Sequence, residues 1–78
     1  MLYNIYRTSP DNSNELCLKN QYQIDAVEYI TGEMIGDKLP AIMSDEASLV
    51  YHKMRFMKPG ETFQYNEFLI ECMAFSLA

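Results

Sequence analysis

Apolar positions recur along the chain first at a period of two, then near 3.6, then at two again. Leu2–Arg7 is rich in Tyr and Ile and predicts a strand. The segment Ser9-Pro10-Asp11-Asn12-Ser13-Asn14 is a dense run of turn formers. Glu15–Lys19 alternates polar with apolar residues, so the first nineteen residues predict strand, loop and strand in a β-hairpin. From Gln21 to about Glu33 the period lengthens. At roughly 100° per residue, Ala26, Val27, Ile30 and Met34 share one helix face, flanked by Ile24. Asp25, Glu28 and Glu33 fall on the other side with Tyr22 and Tyr29. Asn20 is the expected N-cap, with Gln23 completing a capping box. Gly32 and Gly36 leave the C-terminal end of this helix open.

A connector with Pro40 at its centre follows over Gly36–Met43. Ser44 is placed to cap a second helix. Asp45 and Glu46 suit its positive end, and Lys53, Arg55 and Lys58 its negative end. Ala47, Val50, Tyr51, Met54 and Met57 then form one apolar face. The same stretch also alternates as a strand, with Val50, His52, Met54 and Phe56 on one side and Tyr51, Lys53 and Arg55 on the other. In that reading Pro59-Gly60 would centre a type II turn. The cap and the charge bias favour the helix. Glu61–Tyr65 and Phe68–Phe75 predict two strands joined near Asn66-Glu67. The expected order is β-β-α-α-β-β: an α+β fold with an antiparallel sheet covered on one face by two helices.

Composition narrows the class of function. The 78 residues suffice for one domain, 1–78. Apolar and aromatic residues make up 49%, which is too many for a disordered chain. Trp is absent, so six Tyr, four Phe and six Met supply the bulk of the core and of any adaptable surface. The formal charge is −5, and the six basic residues are scattered. Direct nucleic-acid binding needs a basic face, so the expected partner is a protein with a basic surface. No basic n-region with a long apolar stretch opens the chain, and no run reaches the ~20 apolar residues of a membrane span. The expectation is a cytoplasmic protein, or one in the host cytoplasm if viral, with no membrane partner. Cys17 and Cys72 make no disulfide framework and are expected as reduced thiols.

Catalytic patterns are missing. The three Gly, at 32, 36 and 60, are isolated and build no phosphate loop. Cys17, Cys72 and His52 are the one conceivable nucleophile-and-base set, and they lack an orienting third group. One His and two lone Cys do not make a zinc site. No cofactor, metal or enzymatic activity is therefore expected. The acidic helix back, with Asp25, Glu28, Tyr29, Glu33 and Tyr22, reads either as a solvated face or as a partner-binding surface. Reversing charge at Asp25 and Glu28 is expected to spare the fold. Leu49 and Phe56 are two helical turns apart, opposite Val50 and Met54, with His52 and Lys53 between them. Either Met73–Ala78 covers this stripe or it is exposed for self-association or for a partner, and at least a weak homodimer is expected.

In overall character the chain is similar to small phage-encoded inhibitors of host machinery, among them antirestriction and anti-CRISPR proteins. They too are short, acidic, single-domain and without catalytic motifs. The resemblance implies a non-catalytic inhibitor that blocks a host nucleic-acid-binding complex or nuclease, and it transfers no individual residue. The alternative is a structural or assembly protein forming a small homodimer.

Overall fold

The four strands form one sheet, antiparallel throughout, in which the second, first, fourth and third strands of the chain lie side by side, so each terminal hairpin contributes one central and one edge strand. The computed structural model describes residues 1–11, 13–36 and 42–74. Its elements are β1 (Leu2–Thr8), β2 (Asn14–Gln21), α1 (Gln23–Thr31), α2 (Asp45–Arg55), β3 (Thr62–Tyr65) and β4 (Phe68–Met73), in the expected β-β-α-α-β-β order. Pro40 and its neighbours in the connector lie outside the described residues. The α+β architecture has two layers, and its thinnest dimension is 18 Å. That matches one sheet and one layer of helices.

Alternation along the central strands sorts side chains between the two faces. Tyr3 and Ile5 of β1 and Phe68, Ile70 and Cys72 of β4 are buried under the helices. Ala26, Val27 and Ile30 of α1 meet them, with Ala47, Val50 and Met54 of α2. Two long-range bonds fix α2 in place: Tyr3 Oη donates to Met54 O at 3.0 Å and ties it to the sheet, and Gln23 Nε2 donates to Tyr51 O at 2.7 Å and ties it to α1. On the opposite sheet face Glu71 Oε1 accepts from Asn4 Nδ2 at 3.2 Å and from Tyr6 Oη at 2.9 Å. These bonds let Asn4 be buried without an unpaired polar group.

The second helix is a helix and not a strand. Ser44 Oγ accepts from Ala47 N at 3.1 Å, which satisfies one of the orphan donors of the first turn. The Pro59-Gly60 turn forms all the same. Glu61 N donates to Lys58 O at 3.0 Å across it, and Gly60 takes φ +93°, the left-handed value a type II turn demands. At the β3–β4 hairpin, Asn66 takes φ +51°, the sign a primed two-residue turn needs at its first position.

The start of α1 differs from the expectation. Its N-cap is Tyr22, without a side-chain cap bond, and Asn20 belongs to β2. Between the pairs Tyr3↔Gln21 and Ile5↔Leu18, β2 advances one residue further than β1, a bulge. Asn20 sits there at φ +56° and donates its backbone N–H to Asn4 Oδ1 at 2.9 Å. Asn tolerates this conformation better than other non-glycine residues, and that preference decided its place. The far end differs too. Gly32 closes α1 at φ +75°, so Met34 leaves the helical face and stands 80% exposed, while Ile35 enters the core. The periodicity that placed Met34 in the core was continued one turn too far.

Candidate functional site

α2 has two apolar stripes and the sheet covers one. Ala47, Val50 and Met54 are fully buried, whereas Leu49 is 55% and Phe56 77% exposed. Leu49, His52, Lys53 and Phe56 recur at i, i+3, i+4 and i+7, so they share a face. That face and the neighbouring β3 enclose a groove of about 710 Å³. Glu61, Thr62 and Phe63 form its sheet side, and the buried Met57 lies at its base. Phe56 is at the C-cap of α2, with φ −94°. The helix ends there and the next residue, Met57, turns into the core, which leaves the Phe56 ring at the mouth of the groove. An apolar groove with a few charged groups on its walls is suited to holding a protein segment or a second apolar surface.

Leu49 and Phe56, expected from sequence as a self-association surface, are thus brought together with His52 and Lys53 between them. Phe63, Thr62 and Glu61 were not foreseen as part of it. They reach the groove through β3–β4 pairing, which helical periodicity in residues 44–57 does not encode. Of the segment expected as a cover, Met73 pairs with Leu2 in the sheet and Ala74 is exposed. Residues 75–78 lie outside the described residues.

The acidic helix back is more engaged with its own chain than the sequence suggested. Glu28 Oε2 accepts from Ile35 N at 2.7 Å and Gly36 N at 3.0 Å. The two oxygens of Glu33 accept from Ser44 N at 3.2 and 3.3 Å. Both carboxylates bind backbone donors in the segments around the α1–α2 connection, so charge reversal at Glu28 would cost two backbone bonds that the sequence reading did not foresee. Asp25 is exposed in the first turn of α1, and Tyr22, the N-cap three residues earlier, is 62% exposed. Tyr29 is 41% exposed and packs edge-on against Phe68, with ring centroids 5.7 Å apart. The other side of that chemistry is Cys17: its interaction with the Tyr29 hydroxyl raises the phenol above its ordinary value.

The remaining nucleophile candidates stay apart. Cys72 is buried on β4, with Sγ 3.4 Å from Met1 Sδ and 3.8 Å from Met57 O, and burial pushes its thiol up. Cys17 is half-buried on β2, two strands away and offset along them, since Cys72 pairs with Tyr3 and Cys17 lies opposite Ile5 and Tyr6, so the two are more than roughly 10 Å apart. The exposed His52 ring packs edge-on against Tyr51 at 5.6 Å. Among the described residues no group of three His, Cys, Asp or Glu side chains is placed to hold a metal ion, and no helix is long and apolar enough to cross a membrane. Comparison with models of known protein families, with curated proteins and with solved structures gives no match.

Proposed function

We propose that this protein is a non-catalytic protein-binding module that works through the groove between α2 and β3. The observation that carries this reading is the exposure of Leu49 and Phe56 on a helix whose other apolar stripe is fully buried. Covering such side chains is favourable by roughly 25 cal/mol per Å² of apolar area, before the costs of association. Nothing in the packing of the described core requires an aromatic ring at position 56.

A second reading is supported by the exposed Asp25 and Tyr22 and by the net charge of −5. In it the protein is a small acidic inhibitor that occupies the basic surface of a nucleic-acid-binding protein or nuclease. Asp25 would speed encounter with such a surface and Tyr22 would supply contact area. Affinity capture separates the two readings, with the full chain, F56D and D25K as baits in parallel and mass spectrometry as the readout. Partners lost with F56D and kept with D25K support the groove. Partners lost with D25K at low salt, and enriched in nucleic-acid-binding proteins, support the acidic inhibitor. A set of partners indifferent to both substitutions sinks both surfaces.

A further inference from the structure

We propose that the occupant of the groove is a second copy of this chain, docked about a twofold axis that pairs β3 with β3 and lays α2 antiparallel to α2. The proposal rests on the reading of the protein as a binding module and names its partner.

Among the described residues β3 is an open edge of the sheet. Tyr65 pairs with Phe68 across the two-residue turn, and Cys72 N donates to Glu61 O at 3.0 Å. Bonded positions alternate in an antiparallel pair, so residues 61, 63 and 65 face β4. The backbone N–H and C=O of Thr62 and Gln64 therefore face outward. The other edge is protected: β2 is bulged twice and carries Glu15 and Lys19. β3 has no register shift, no charge and no proline in Thr62–Tyr65. It is a template for an added strand beside an apolar groove.

The charges of α2 select the second copy over an unrelated strand. Its first turn holds Asp45 and Glu46, and its last holds His52, Lys53 and Arg55. A twofold axis perpendicular to the sheet at the β3 edge makes both β3–β3 and α2–α2 antiparallel. The acidic first turn of each α2 then faces the basic last turn of its mate, while the Leu49 and Phe56 stripes cover one another. The surface is self-complementary in backbone, in apolar area and in charge, as an isologous contact requires. An unrelated peptide on β3 would satisfy the edge, but the end charges of α2 would then serve their own helix dipole alone and gain no matched charges from the partner.

Sedimentation of the full chain over roughly 10 μM to 1 mM tests this, since a small interface dissociates in that range. The expected result is a monomer–dimer equilibrium. F56D should weaken it at least about thirtyfold, the loss of an aromatic anchor. Q64P removes an outward N–H from the ladder, together with the exposed Gln64 Nε2 bonds to Asn66 O and Thr8 Oγ1, and should weaken the dimer while leaving the circular dichroism spectrum intact. E46K and K53E should each weaken it, and together restore much of it. A monomer at every concentration overturns the proposal, as does a dimer indifferent to F56D and Q64P. A monomer that still captures an F56D-sensitive partner overturns the second copy and keeps the binding module, whereas one with no F56D-sensitive partner loses both. A chain that dimerises only after deletion of residues 75–78 assigns the groove to its own C-terminus, and the second copy is again overturned.

Discussion

Glu28 is a surface carboxylate by its sequence position and a bracket by its contacts. Its Oε2 holds the N–H groups of Ile35 and Gly36 just after α1, and Ile35 is almost completely buried. Removing the acceptor leaves at least the Ile35 donor without a partner in a place water reaches poorly. Such a loss costs about 1–3 kcal/mol. E28A should therefore lower the unfolding free energy in urea by that amount, with E28Q in between because its amide oxygen can still accept both bonds but without the charge that strengthens them. D25A is the control. Asp25 is exposed with only the helix dipole to favour it, so its loss should cost no more than about 0.5 kcal/mol. Equal effects from E28A and D25A would mean that Glu28 braces nothing. Sequence could not separate these two carboxylates. They are i,i+3 neighbours on one helical face, and what distinguishes them is where the chain goes after Gly32.

α2 displays what local signals can and cannot decide. The alternation of Val50, His52, Met54 and Phe56 suits a strand as well as it suits a helix. Ser44 with Asp45 and Glu46 broke the tie, because a capped, acid-first segment stabilises a helix and gives a strand nothing. S44A should accordingly cost about 1 kcal/mol in urea or thermal unfolding without changing the folded-state helix signal. A cost near zero would show that tertiary packing alone holds the start of α2. The same local logic failed at Asn20, which has the right residue type for a cap and a Gln three positions on. The bulge in β2 and the bond to Asn4 claimed it instead, and both depend on a strand sixteen residues earlier. The groove was half legible for a related reason. Its α2 side follows from spacing within one helix, while Phe63 and Thr62 arrive by pairing with β4.

At the scale of the whole molecule, three phenols, those of Tyr3, Tyr6 and Tyr29, and the buried Cys72 thiol hold their protons more tightly than free groups do. Burial raises Tyr3 above its ordinary value of 10.0, and the nearby Cys72 and Tyr51 add to the shift. The Cys17 interaction is the largest cause for Tyr29, and the hydrogen bond to Glu71 for Tyr6. Burial raises Cys72 above 9.0. Each of these four shifts has the same sign, although the groups sit on two strands and a helix. In each case the unfolded chain releases its proton at a lower pH than the folded one. Over that interval the folded state binds more protons, so stability falls as pH rises. The contribution is fully present below the unfolded values and is lost from about pH 9 upward, first through Cys72 and then through the tyrosines. The net charge of −5 works in the same direction, since each new thiolate or phenolate adds to self-repulsion. Urea midpoints should therefore be level between about pH 7 and 8.5 and decline steadily towards pH 11. Tyr3 is the group to remove, because its ring is in the core and its hydroxyl donates to Met54 O. Y3F should start from a lower midpoint, having lost that bond, and decline less steeply than the original chain. A midpoint unchanged to pH 11, or a Y3F decline as steep as that of the unaltered protein, would show that the Tyr3 hydroxyl is not held in the core as described.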